Sequence, residues 1–425
     1  MIPLLWDEVA ALQLGELDGE LPDGTVHRIH ADSRVARPGD LFVALNTGVR
    51  YVDDARARGA ATLVPDDQHA ALAALATLVR ARSDARVVAV VGSTGKTTTK
   101  DILGALCAGV VATAFPEQSQ NNEIGLPLTV LRLEPETEVL VTEMGMRGLG
   151  QIAELCAVAR PDVVLVTQIG PEHLALVGSV ENVARANAEA LEALPPGGIA
   201  VVPAKAPELL PFLRGDLDVR PFDPADIDRA QDGWRFRVAG RELRLRLPFA
   251  QRHLAENTLA ALTAYDALDL PLERAQEGMD RVVLSRWRGE ELALPGGGFV
   301  VNDAYNANPL SMRAALLDLA ERAGDRRRVA VLGEMAELGA DSERYHREIG
   351  ALLSQLGVDV LVAVGDAAGA YLTPGVAEMR WLERAEGFED LLRPGDAVLV
   401  KASRAVGLEG VPERIANVAQ AWSES

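Results

Sequence analysis

Along the chain, short apolar runs alternate with longer stretches whose apolar residues recur every three or four positions. The first runs, Leu41-Phe42-Val43-Ala44-Leu45 and Ala61-Thr62-Leu63-Val64, lie between Pro, Gly and Asp turns, which predicts a small α/β domain over residues 1–84. Ala81-Arg82-Ser83-Asp84-Ala85-Arg86 is charged and without core periodicity, as a linker is, and leads into the strand pattern Val87-Val88-Ala89-Val90-Val91. From there Glu138–Thr142 and Asp162–Thr167 alternate with helical patterns, including an Ala/Leu-rich segment near 180–194. Near-continuous apolar strands separated by helices indicate a mostly parallel sheet covered on both faces. Arg alternating with apolar residues over Trp234–Leu247 predicts an antiparallel hairpin or an edge of this domain. Past residue 290 the pattern starts again, with strands at 298–302, 328–332, 358–364 and 396–401. The expected fold class is therefore α/β in three domains: 1–84, a central 85–290 and a Rossmann-like 291–425. A chain of 425 residues exceeds what one ordinary core holds.

Composition narrows the function. A formal charge of -20 repels a nucleic-acid backbone, so any phosphate site must be local. The two cysteines, Cys107 and Cys156, form no CxxC or Cys/His cluster, which argues against a disulfide framework or structural zinc and suits a reducing compartment. Met1 to Glu8 lacks a basic region, and no apolar run approaches the roughly 20 residues that span a bilayer, so a cytoplasmic protein is expected. Lysine occurs only at 96, 100, 205 and 401, all other basic residues being arginine. Against that background Lys96 and Lys401 mark places where a compact ammonium does what a planar guanidinium does not.

Strand 87–91 runs into Gly92-Ser93-Thr94-Gly95-Lys96-Thr97-Thr98-Thr99 and then a helical pattern. Strand, glycine loop and helix form a phosphate cradle: backbone N–H groups and the helix N-terminus face the anion, Lys96 reaches the β- and γ-phosphates, and the Thr97 hydroxyl can ligate Mg²⁺. Val90 stands where the strict GxxxxGK[ST] pattern has its first glycine. The bland alternative, a glycine turn with incidental Lys and Thr, does not account for the strand–loop–helix order. The loop alone does not separate kinases, GTPases, motors and ligases.

What accompanies it does. The Gly92–Thr98 loop, Asn121-Asn122-Glu123-Ile124-Gly125-Leu126-Pro127-Leu128-Thr129, Thr142-Glu143-Met144-Gly145, Asn302-Asp303-Ala304-Tyr305-Asn306-Ala307-Asn308-Pro309 and Gly333-Glu334-Met335-Ala336-Glu337-Leu338-Gly339 follow one another as the motifs of the Mur ligases do. The resemblance covers essentially the full length. It implies a UDP-binding N-terminal domain, a P-loop ATPase-like central domain and a C-terminal domain for the incoming amine. It also implies ATP and Mg²⁺ as cofactors and a monomer without membrane insertion. Within the family, Tyr305-Asn306-Ala307-Asn308-Pro309 points to the member that adds D-alanyl-D-alanine to UDP-MurNAc-tripeptide through an acyl phosphate, in peptidoglycan precursor synthesis. Such chemistry crowds anions together, so catalysis must come from positioning and from cations.

Residue by residue, the resemblance implies the following roles. Lys96, Glu143, His173 and Arg288 are catalytic, with Thr97, Glu143 and His173 at the metal. ATP is held by Gly92, Ser93, Thr94, Gly95, Lys96, Thr97 and Thr98, with Asn257 at adenine, Arg288 at phosphate, Asp303 at ribose and Tyr305 beside the nucleotide. Ser33, Arg34, Asn121, Asn122, Asn306, Asn308, Lys401 and Arg404 bind substrate, the last pair of cations suiting the dipeptide carboxylate. Asn187 stands where the family carries a carbamylated lysine. Its amide oxygen is expected to accept from a metal-bound water, giving a weaker second-metal site and a higher magnesium requirement. The alternatives are another Mur or folylpolyglutamate-type ligase, or a nucleotide-binding homologue without catalysis.

Overall fold

The structure, a computed structural model, describes residues 1–19 and 23–420. Its framework is three sheets with helices packed against them, the α/β class expected from the alternation of runs. The first sheet is formed by β1 (Gly15–Asp18), β2 (Arg28–His30), β3 (Asp40–Val43) and β4 (Ala61–Pro65) in the order β1-β4-β3-β2, parallel except at β1. Helix α1 (Gln68–Arg80) follows, its first turn capped by the Asp67 carboxylate, which accepts from the backbone N–H groups of His69 and Ala70.

The second sheet contains β5 (Arg86–Val91), β6 (Thr113–Ala114), β7 (Val139–Glu143), β8 (Val163–Val166), β9 (Ile199–Pro203) and β10 (Asp218–Phe222), all parallel, in the order β10-β9-β8-β5-β7-β6. The chain runs from β5 to its neighbour β7 on one side and then to β8 on the other. The C-terminal end of β5 is thus a topological switch point, where an open parallel sheet leaves a crevice for ligands. Helices α2 (Lys96–Ala108), α3 (Gln151–Ala159), α4 (Val180–Glu192) and α5 (Arg252–Ala267) pack on this sheet, and a hairpin of β12 (Gly233–Val238) and β13 (Arg241–Leu245) is extended by β11 (Ile227–Ala230).

The period of two in β5 sorts its side chains. Val87, Ala89 and Val91 join an apolar cluster continuous with Leu72 and Leu75 of α1, whereas Val88 and Val90 pack with Ile102 and Leu106 of α2 and Tyr265 of α5. Burying each valine or leucine contributes about 1.5–3 kcal/mol, so the strand carrying the loop is among the best anchored.

The third sheet comprises β14 (Glu290–Leu294), β15 (Gly298–Asp303), β16 (Arg328–Gly333), β17 (Val360–Val364), β18 (Glu378–Leu382) and β19 (Ala397–Lys401), ordered β14-β15-β19-β16-β17-β18, with only β14 antiparallel. Helices α6 (Pro309–Ala323), α7 (Ser342–Gln355) and α8 (Val411–Gln420) accompany it. Register pairs Asp303 with Lys401 at the C-terminal ends of β15 and β19. Among the described residues no helix is long and apolar enough to cross a membrane.

Candidate active site

The phosphate loop bridges β5 and α2, and two of its glycines hold backbone that a side chain would disfavour: Gly92 at φ +128 and Gly95 at φ +85. A Cβ on Gly95 would lie 2.5 Å from the Asn257 amide oxygen, so Gly95 lets Asn257 of α5 close over the loop. The loop is pinned from behind. Gly92 donates its N–H to the Asn187 amide oxygen at 2.7 Å, Ser93 donates its N–H to the Gln168 carbonyl at 2.6 Å, and the Ser93 hydroxyl bonds the backbone of Gly170 at 3.0 Å.

Glu143, at the end of β7, is 1 % exposed. One carboxylate oxygen accepts from the Thr97 hydroxyl at 3.0 Å, the Ser119 hydroxyl at 2.8 Å and the Asn121 amide at 2.8 Å. The other is buried with no hydrogen-bond partner among the described residues. A buried anionic oxygen without a donor is costly, and a hard cation satisfies it. Mg²⁺, which keeps waters and binds through one or two carboxylates and substrate phosphates, is an ion that such an oxygen would suit.

Opposite Glu143, the loop after β8 brings Glu172 and His173 to the cleft. Both Glu172 oxygens lie 3.4 Å from the Lys96 ammonium, which also donates to the Gly92 carbonyl. Burial pushes the Glu172 carboxyl above its usual range, although Lys96 and His173 pull it down. His173 pairs through Nδ1 with Glu337, which follows β16 of the third sheet. Both residues adopt left-handed backbone, φ 51 and 61, uncommon for residues with side chains and typical of ligand clamps. A carboxylate on Nδ1 fixes the tautomer and leaves Nε2 as the nitrogen suited to a metal.

The third sheet supplies the far wall. Arg288 lies over the Tyr305 ring at 3.9 Å, and Asn308 caps α6 while donating its amide to the Ser93 carbonyl at 3.3 Å. Lys401, 2 % exposed, bonds the Asp303 carboxylate at 2.6 Å and the Asn306 carbonyl at 3.0 Å. Together these groups line a cavity of about 710 Å³ containing Ser93 to Thr98, Asn121, Asn122, Glu143, His173, Asn257, Arg288, Asp303, Tyr305, Asn306, Asn308 and Lys401.

Other expected residues lie apart. Ser33 and Arg34 belong to the first sheet's surroundings and do not line this cavity; Arg34 pairs with Asp32, whose carboxyl it lowers to about 2. Arg404 stacks on Trp287 at 4.2 Å and pairs with Glu409, also outside the cavity lining, so Lys401 and Arg404 do not meet there. The reading of Asn187 needs correction. It is 1 % exposed and outside the cavity lining, its oxygen accepts from the Gly92 N–H and its nitrogen donates to the Val183 carbonyl at 2.9 Å, so in this structure it braces the loop from behind instead of facing the cleft.

Sequence reasoning passed over Ser119, Glu172, His253 and Glu337. Glu172 was legible as the acid beside His173. His253 stands four residues before Asn257 on α5 and Glu337 belongs to the Gly333–Gly339 motif, so only Ser119 comes from a loop whose approach no local pattern announces.

Comparison with known proteins agrees with this geometry. Residues 90–265 match the Mur ligase middle domain and residues 287–404 the Mur ligase glutamate ligase domain. The UDP-N-acetylmuramoyl-tripeptide–D-alanyl-D-alanine ligase of Bacillus subtilis is 31 % identical, the alignment covering 97 % of this chain and 98 % of that one, and the Escherichia coli enzyme of the same name is 32 % identical over the same shares. Among solved structures, MurF from Acinetobacter baumannii superposes with a TM-score of 0.85 at 27 % identity, over 98 % of this chain and 99 % of that chain. MurF from Thermotoga maritima in complex with ADP gives 0.81 at 25 %, over 93 % and 99 %. With matched domains on both sides of the cleft and full-length relatives of this similarity, the chain belongs to the Mur ligase family.

Proposed function

We propose that this protein is an ATP-dependent amide ligase that joins D-alanyl-D-alanine to UDP-MurNAc-tripeptide through an acyl phosphate. The observation that carries the reading is that a phosphate loop and the Tyr305–Asn308 segment share one cavity. The relatives of full-length similarity carry the name of this activity.

In this reading the tripeptide's terminal carboxylate attacks the γ-phosphate of ATP, ADP leaves, and the amine of D-alanyl-D-alanine then displaces phosphate from the acyl phosphate. Backbone N–H groups of residues 92–97 and the Lys96 ammonium stabilise charge on the transferring phosphoryl group. Thr97, Glu143 and His173 would hold Mg²⁺, which when bound neutralises phosphate charge. Asn257 and Tyr305 flank the nucleotide. The Lys401 pairing fixes Asp303 and the Asn306 carbonyl at the strand ends. Three domains with boundaries near 84 and 290, a monomeric state and a cytoplasmic location complete the proposal.

Phosphate release measured with each substrate omitted in turn tests it. Release requiring ATP, UDP-MurNAc-tripeptide and D-alanyl-D-alanine together is expected. Release with a single amino acid replacing the dipeptide would assign a different ligase specificity, and none under any combination would assign a non-catalytic role.

A further inference from the structure

Strand β19 lies between β15 and β16, so the residues that follow it emerge between the loops that follow those two strands. Ser403, the second residue past its end, is 3 % exposed and outside the cavity lining. Gly333 makes the approach close, since a Cβ there would lie 2.6 Å from that of Ala402. The Ser403 N–H donates to the Glu334 carbonyl at 3.1 Å, and its hydroxyl accepts from the Ala336 N–H at 2.8 Å while donating to the Ala307 carbonyl at 3.2 Å. Among the described residues no hydrogen bond joins segments 304–308 and 334–339 directly, and Ser403 is the residue that bonds both. Each segment also crosses the cleft. Asn308, next to Ala307, donates to the Ser93 carbonyl of the phosphate loop at 3.3 Å. Glu337, next to Ala336, pairs with His173, and its carbonyl accepts from the Ala175 N–H at 2.9 Å.

We infer that Ser403 is a positioning residue whose single hydroxyl makes the two crossings of the cleft one unit, so that the phosphate loop and the His173 loop meet the third sheet together. The inference rests on the ligase reading only for its effect on turnover, where nucleotide and amine must be held in one register across the cleft. Alanine at this position keeps the backbone but strands the Ala336 N–H and the Ala307 carbonyl, and the two segments lose their common partner.

Hydrogen exchange of the free full-length chain reads this coupling without substrates. In the wild-type background Glu337→Ala removes the His173 pairing, and exchange over residues 304–308 should quicken about threefold or more, because the loss passes through Ser403. In Ser403→Ala that segment should already exchange at the faster rate, with Glu337→Ala adding less than about twofold. Ser403→Thr, which keeps the hydroxyl, should respond as wild type does. Equal responses to Glu337→Ala in wild type and in Ser403→Ala, or none in either, would overturn the inference, as would a threonine variant that behaves like the alanine one, which assigns the effect to packing. Turnover reads the consequence. Ser403→Ala should lower kcat about tenfold while the KM for D-alanyl-D-alanine stays within about twofold of wild type. A raised KM at full kcat would make Ser403 a dipeptide-binding group and overturn its positioning role. If the wild-type chain releases no phosphate with the complete substrate set, the ligase reading fails, and the exchange result still decides the role of Ser403.

Discussion

Lys96 is half-buried at the mouth of its helix and spends its charge on the Gly92 carbonyl and the Glu172 carboxylate. Lys96→Ala is expected to lower turnover by about a hundredfold or more, and also to lower the melting temperature because buried Glu172 loses its partner; near-normal phosphate release in the folded variant would remove the phosphate-loop assignment. Asn187 is buried and bonded at both ends. Asn187→Leu strands the Gly92 N–H and should cost about 1–3 kcal/mol in urea unfolding while raising the KM for ATP, and an unchanged KM would show that the loop does not need its brace. His253 titrates against the fold. Its Nδ1 is buried and unpartnered among the described residues, and burial lowers its pKa although Asp303 and Asp318 pull upward against Lys401 and Arg322. Because the neutral ring is the folded form, its contribution is complete above the unfolded value of about 6.5 and is lost as pH falls below it, at no more than about 1.4 kcal/mol per pH unit. Melting temperatures from pH 7 downward should therefore fall less steeply in His253→Gln than in wild type.

At the scale of elements, α2 serves two ends of the site. Its first turn faces the cleft, and its second holds Lys100, 0 % exposed, against Asp101 and the Pro116 carbonyl, while Asp101 accepts from the Ser285 N–H at 2.8 Å. Lys100→Ala leaves Asp101 buried and uncompensated and is expected to cost about 3–5 kcal/mol, read as a lower urea midpoint, whereas the double replacement Lys100→Met with Asp101→Leu should recover most of it. A single variant as stable as wild type would show that the pair is not what anchors the helix. Inner strands such as β5, β8, β17 and β19 were legible because burial on both faces makes them continuous apolar runs, although β9, also inner but bounded by Gly198 and ending at Pro203, was passed over. The edge strands β10, β14 and β18 were not legible, since exposed and half-exposed positions such as Asp218, Arg220, Glu290 and Glu378 break the run. The same physics divides the site. The phosphate loop has a local signature, but the pairing of His173 with Glu337, 164 positions away, is a product of tertiary approach.

For the whole molecule, the cleft has walls from two sheets, joined across it by His173 with Glu337 and by Asn308 with Ser93. Glu337→Ala is expected to broaden the distance distribution in small-angle scattering of the free protein, and an ATP analogue with the peptide acceptor to narrow it again; curves unaffected by the ligands would contradict closure around the substrates. Helix α6 enters the cleft by its capped first turn, so two helices rooted in different sheets, α2 and α6, present their N-terminal ends to one space. Each end carries partial positive charge, and a polyphosphate between them is attracted by both. By thermodynamic reciprocity, whatever affinity the nucleotide gains from α6 the two sheets gain in cohesion from the nucleotide. Occupancy and closure are then a single equilibrium, and the departure of phosphate loosens the joint through which the product must leave.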